Sequence, residues 1–144
     1  MKTNVLHQVA AGFVFAAMCS QTALAGTTAE TLYKQCAAKE TNAEQRECYP
    51  AAVRQSEVEL VAAEKKARAA MVDLERESEG SRSLQPVMAF DKAERAYRAF
   101  RTAESNRVVA SYGSGNGGGL ASYKATIEMN LTRIKQLQGE SGGR

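Results

Sequence analysis

Four side chains in this 144-residue sequence have a wide chemical range: His7, Cys19, Cys36 and Cys48. His7 is the single histidine and stands near the start. Everything after it therefore lacks the base of a Ser-His-Asp or Cys-His mechanism, and the commonest metal ligand. Cys36 and Cys48 have eleven residues between them. That spacing is neither a C-x-x-C redox pair nor a zinc pattern. Aspartate and glutamate total 16, yet none stands in an apolar stretch that would raise its pKa for acid–base work. The glycine run Gly113–Gly119 lacks the Lys-Ser/Thr of a phosphate loop. Lysine and arginine total 19, giving a net charge of +3, too even for a nucleic-acid surface. These residues predict a protein with no catalytic site, no metal and no cofactor.

The first 25 residues read as a secretory signal. Lys2 precedes an apolar run from Val9 to Cys19, and Ala23-Leu24-Ala25 supplies the A-x-A cleavage pattern before Gly26. The run is too short to span a bilayer as a helix. Cys19 opens a second route, lipidation, but Met18 before it fits that route poorly. Cleavage after Ala25 accounts for more of the sequence and leaves about 119 residues, enough for one core. Export to an oxidising compartment, periplasmic or extracellular, favours a disulfide between Cys36 and Cys48 over two free thiols.

The elements follow from capping and periodicity. Thr28 to Ala38 reads as a short helix capped by Thr27 or Thr28. Thr41-Asn42-Ala43-Glu44 matches the capping box and starts a second helix. This break brings the cysteines within reach of each other. On one continuous helix they would lie roughly 18 Å apart, whereas a disulfide needs Cα atoms within about 7 Å. Pro50 predicts a kink or restart. Beyond it, Val53, Leu60, Ala67 and Leu74, with Val61, Ala70 and Met71 beside them, predict an amphipathic helix to about Glu77. Gly80-Ser81 ends it. Ser83-Leu84-Gln85-Pro86 enters a third helix with Val87, Phe90, Ala93, Tyr97 and Phe100 on its buried face. Glu64–Arg68, Asp91–Arg95 and Glu94–Arg98 are candidate i,i+4 ion pairs. Five glycines in the seven residues Gly113–Gly119 predict a loop. Leu120, Tyr123, Ile127, Leu131, Ile134 and Leu137 mark a last helix ending before Gly139, followed by a frayed tail to residue 144. The fold class is all-α, an antiparallel bundle of three long helices with a short N-terminal helix joined by a disulfide. The helical domain is residues 26–138, and Tyr97, Phe100, Leu60, Ile127 and Leu131 are expected to meet in its core.

Two stretches carry a family resemblance: Cys36 to Cys48 with Thr41-x-x-Glu44 between the cysteines, and Ala93-Glu94-Arg95-Ala96-Tyr97-Arg98-Ala99-Phe100-Arg101-Thr102-Ala103-Glu104 before the glycine loop. Together they resemble the LprI-like N-terminal domain family of small exported helical proteins, whose founding member is a lysozyme inhibitor. The chain departs from the family pattern at several places. Tyr97 replaces tryptophan and Ser105 replaces a cysteine. Tyr123 or Ala125 falls near the place of a later cysteine, and Gly117-Gly118-Gly119 replaces a G-G-S loop. Asn130 stands near the family's threonine, with Arg133 three residues on, while Pro50 has no counterpart.

The resemblance implies a protein partner of the lysozyme type, with no nucleic acid and no membrane span. An inhibitor of such an enzyme must occlude a cleft that holds two carboxylates. The candidate partner-binding residues are therefore on and around the glycine loop: Arg107, Tyr112, Asn116, Gly117, Gly118, Gly119 and Lys124. The acidic run Asp73, Glu75, Glu77 and Glu79 is a second candidate for a cationic enzyme. The alternative reading is a cell-envelope adaptor that binds another exported protein through a helix face.

Overall fold

The computed structural model describes residues 26–142, with side chains described to residue 139. The signal sequence read over residues 1–25, with His7 and Cys19, lies outside the described residues. Five helices follow: α1 (Ala29–Ala37), α2 (Asn42–Glu77), α3 (Glu79–Ser83), α4 (Pro86–Ser111) and α5 (Gly118–Gly142). The chain is an all-α bundle.

The starts of α1 to α4 have local or borrowed caps. Thr28 caps α1 by accepting from Thr31 N, and Thr41 with Glu44 forms the full capping box on α2. Two glutamates of α2 reinforce its antiparallel neighbours. Glu59 accepts from Ala29 N at the head of α1, and Glu75 accepts from Val87 N at the head of α4. Each places a carboxylate at the positive end of a helix dipole. The latter matters because Gln85, ahead of α4, has φ 51° and offers no side-chain cap.

The long helices run up, down and up. α2 and α5 lie parallel and form the centre, with α4 against one side of the pair and α1 against the other. Residues buried on α2 step by three and four: Tyr49, Ala52, Ser56, Leu60, Ala63 and Ala67. The core has two apolar parts. Cys36, Tyr49, Ala52, Leu120 and Ile127 form one, while Leu60, Ala63, Ala67, Ile134 and Leu137 form the other. Leu131 packs on both. Each large side chain fully withdrawn from water, such as Leu60 or Ile127, contributes about 1.5–3 kcal/mol. The Cys36–Cys48 disulfide is formed, with Cα atoms 5.4 Å apart.

Several local expectations are corrected. α2 is continuous through Pro50, so no new helix starts there. One helix hydrogen bond is lost there, and burial of Tyr49 and Ala52 on either side holds the segment helical. Gly80-Ser81 belongs to α3, since α2 ends at Glu77 with Ser78 capping the next helix. Gly118 and Gly119 form the first turn of α5, and that helix continues through Gly139 to Gly142. Phe100 is 59 % exposed, Val61 52 % and Tyr123 37 %. Ala93 is exposed too, because the inner face of α4 follows Val87, Phe90, Glu94, Tyr97 and Arg101. The steps 87, 90 and 93 drift round the helix, whereas 87, 90, 94, 97 and 101 keep one face.

Candidate functional site

The α4–α5 turn lies at the same end of the bundle as the disulfide. Tyr112 N donates to Val109 O and Gly113 N to Ala110 O, closing α4. Gly113 then takes φ +55°, the left-handed conformation that glycine adopts without strain. Gly115 N donates back to Tyr112 O at 2.9 Å. The Tyr112 ring covers Gly117, where an added Cβ would meet Tyr112 Cε1 at 2.7 Å. A Cβ on Gly118 would come within 3.0 Å of Val109 O. Glycine at these two positions allows α5 to start against the end of α4.

The turn is also tied to α2. Arg46 Nη2 donates to Asn116 O at 2.6 Å. Sequence reasoning missed Arg46, since nothing in its helical surroundings marks a residue that reaches a turn 70 positions later. Of the seven predicted partner-binding residues, Tyr112, Gly117 and Gly118 are in mutual contact and Asn116 and Gly119 adjoin them. Arg107 and Lys124 face elsewhere. Arg107 makes a two-pronged contact with Glu104 at 2.8 and 2.7 Å. Lys124 Nζ lies over the Tyr49 ring, 5.6 Å from its centroid. The Arg107 hydrogen bond holds the Glu104 carboxyl below its ordinary range. Burial, and then the Glu128 charge, raise Tyr49.

Two of the four residues of the acidic run have partners, while Glu77 and Glu79 are exposed. Glu75 is occupied at the head of α4, and Asp73 pairs with Arg76. The three predicted i,i+4 pairs are replaced by contacts between helices. Arg68 takes Asp91, Arg98 takes Glu64 and Arg133 takes Glu94. Antiparallel packing supplied nearer partners than the helix surface did.

A polar layer divides the two apolar parts of the core. Asn130, fully buried on α5, donates to Ser56 Oγ at 2.9 Å and to Glu57 Oε1 at 3.2 Å. Its oxygen accepts from Arg101 Nη1 at 2.6 Å, and Arg101 also pairs with Glu57 at 2.7 Å. One level up, Ser105 Oγ meets Ser122 Oγ at 2.6 Å. Ser105 Oγ also accepts from Thr126 Oγ1 at 3.4 Å. Every member of the Asn130 layer has a partner, which fixes the rotation of three helices at once. Among the described residues, no group of His, Cys, Asp and Glu is placed to hold a metal. No helix among them is long and apolar enough to cross a membrane.

The described residues form a small helical bundle with a disulfide at its N-terminal helix, three partly buried ion pairs between helices and an ordered turn at the same end as the disulfide. The chain belongs to the lysozyme inhibitor LprI family, whose model matches residues 34–137. The matched span opens two residues before Cys36 and closes at Leu137, a buried residue of α5. Neither the curated proteins nor the solved structures provide a further match.

Proposed function

We propose that this protein is exported with Gly26 as its first residue and inhibits a lysozyme-type muramidase by obstructing its substrate cleft. The family match over residues 34–137 carries this reading. Export agrees with the A-x-A pattern ahead of Gly26 and with an oxidised Cys36–Cys48 pair. The obstructing element is the α4–α5 turn, with Tyr112 and Asn116 to Gly119 as its contact surface and Arg107 and Lys124 flanking it. A glycosidase cleft is lined by two carboxylates. A narrow glycine turn carrying an exposed tyrosine complements such a cleft in shape, while the charges of Arg107 and Lys124 are taken up by Glu104 and the Tyr49 ring.

A muramidase turbidity assay tests the function, using both a cationic and a neutral lysozyme. Slowed clearing that saturates with inhibitor is expected for at least one of them. No slowing by the folded protein at high micromolar concentration would overturn the reading. Replacing Gly115 to Gly118 by a shorter turn is expected to abolish inhibition while the helical circular dichroism is kept. Full inhibition by that folded variant would remove the turn from the contact surface.

A further inference from the structure

Where α2 meets α4 and α5, two carboxyls have an incomplete set of hydrogen bonds. Glu64 gives Oε2 to Arg98, and Glu94 gives Oε1 to Arg133. Their second oxygens, Glu64 Oε1 and Glu94 Oε2, are buried and meet no donor. Glu94 is only 7 % exposed. The two side chains line one groove between α2 and α4. An ionised carboxylate only accepts, so two of them side by side leave both oxygens unsatisfied and repelling. A single proton makes one of them a donor and satisfies both. We propose that Glu64 keeps a proton in the folded protein and donates it to Glu94 Oε2, so that the junction of α2, α4 and α5 loosens when that proton is lost.

The surroundings favour a proton over a larger cation. The groove above the pair is walled by Val61 and Phe90, and Lys65 and Arg95 stand on its rim with the Arg68–Asp91 pair. An incoming ammonium or guanidinium would meet the charges of Lys65 and Arg95. On the inner side, α4 presents Tyr97 and Arg101 and α2 presents Glu57. Arg101 and Glu57 pair with each other, and burial of the Tyr97 hydroxyl raises its pKa and keeps it neutral. Burial also raises the Glu64 carboxyl above its ordinary value of 4.5; Arg98 opposes this and the Glu94 charge adds to it.

The sign of the pH effect follows. A folded-state pKa above the unfolded value means that the folded protein keeps a proton the unfolded chain gives up. The stability this contributes is complete below the unfolded value and is lost as pH rises through the folded one. The exposed carboxyls behave oppositely. Glu30, Glu44, Asp91 and Glu104 are held low by their hydrogen-bond partners, and what they contribute is lost only as pH falls below their ordinary values of 4.5 and 3.8. No histidine follows His7. The span from about pH 5 to pH 8 is therefore nearly clear of other side-chain titration.

The test is thermal unfolding of the full chain across that span, wild type beside Glu64→Gln. The glutamine amide is a permanent donor to Glu94 Oε2, and His7 is common to both proteins. The wild-type melting temperature is expected to fall by several degrees relative to the variant as pH rises. Parallel curves would overturn the proposal. A carbon-13 NMR titration of the wild-type glutamate carboxyls gives an answer that does not depend on the variant folding. One carboxyl titrating above the usual carboxylate range is expected, and full ionisation of all glutamates by about pH 5 would overturn the proposal.

Discussion

Single residues in this bundle divide sharply by where their neighbours come from. Phe100 looks like a core residue by type, and 59 % of it meets water. Leu60 is completely buried against Ala63, Ala67, Ile134 and Leu137. Phe100→Ala should therefore change the unfolding free energy by less than about 1 kcal/mol. Leu60→Ala should cost about 2–5 kcal/mol through lost transfer energy and the cavity it leaves. Urea titrations of both variants check the contrast, and an equal loss in the two would place Phe100 inside after all. Asn130 behaves differently again. Its truncation to alanine strips a partner from Ser56, Glu57 and Arg101 together. The expected cost is about 1–3 kcal/mol, the desolvation penalty of buried groups left without hydrogen bonds. Asn130→Leu should not recover it, because filling volume does nothing for the Arg101 guanidinium. Recovery by leucine in a urea titration would mean that the layer acts only by packing.

At the scale of elements, α1 depends most on its attachments. Nine residues are too few for a helix to hold alone in water. α1 is secured by the Cys36–Cys48 bond, by Glu59 at its head, and by Tyr33, whose hydroxyl donates to Glu128 on α5. The double Cys→Ser variant should lose around 3 kcal/mol in the chain-entropy view. The loss should appear first as amide exchange in α1, with α2, α4 and α5 remaining helical. Hydrogen exchange read by mass spectrometry distinguishes this from uniform destabilisation. Most element boundaries were legible in the sequence because their signals are local: the Thr28 cap, the Thr41–Glu44 box, Pro86 at the head of α4. What could not be read is set by other helices. Pro50 stays helical because Tyr49 and Ala52 are packed on both sides of it, and the face of α4 is fixed by Glu94 and Arg101. A hydrophobic pattern counts such charged residues as outward-facing, yet Arg133 and Glu57 receive them inside.

At the scale of the whole molecule, the candidate surface was only partly legible. Glycine content placed the turn, since such composition excludes a strand and a long helix. Its internal order was not readable, because it depends on Tyr112 folding over Gly117 and on Arg46 reaching in from α2. These contacts change what the turn costs to use. A loose seven-residue segment would have to be ordered on binding, and each residue fixed opposes association. Here that ordering is largely made during folding, and the Arg46 contact to Asn116 O is the tie that lies outside the turn itself. Arg46→Ala should therefore leave the melting temperature nearly unchanged, since an exposed hydrogen bond contributes little to global stability. It should weaken inhibition of the responsive lysozyme by about tenfold, equivalent to about 1.4 kcal/mol of ordering returned to the binding step. The effect should fall mainly on the dissociation rate, as for most changes within one interface. Turbidity assays give the first quantity and surface-immobilised binding kinetics the second. Arg46→Lys should not restore affinity, because a single ammonium lacks the planar reach of the guanidinium to the carbonyl. An unchanged inhibition constant in Arg46→Ala, with the shortened-turn variant inactive, would mean that the turn binds but needs no bracing. Loss of inhibition together with a lower melting temperature would instead make Arg46 a residue of the fold.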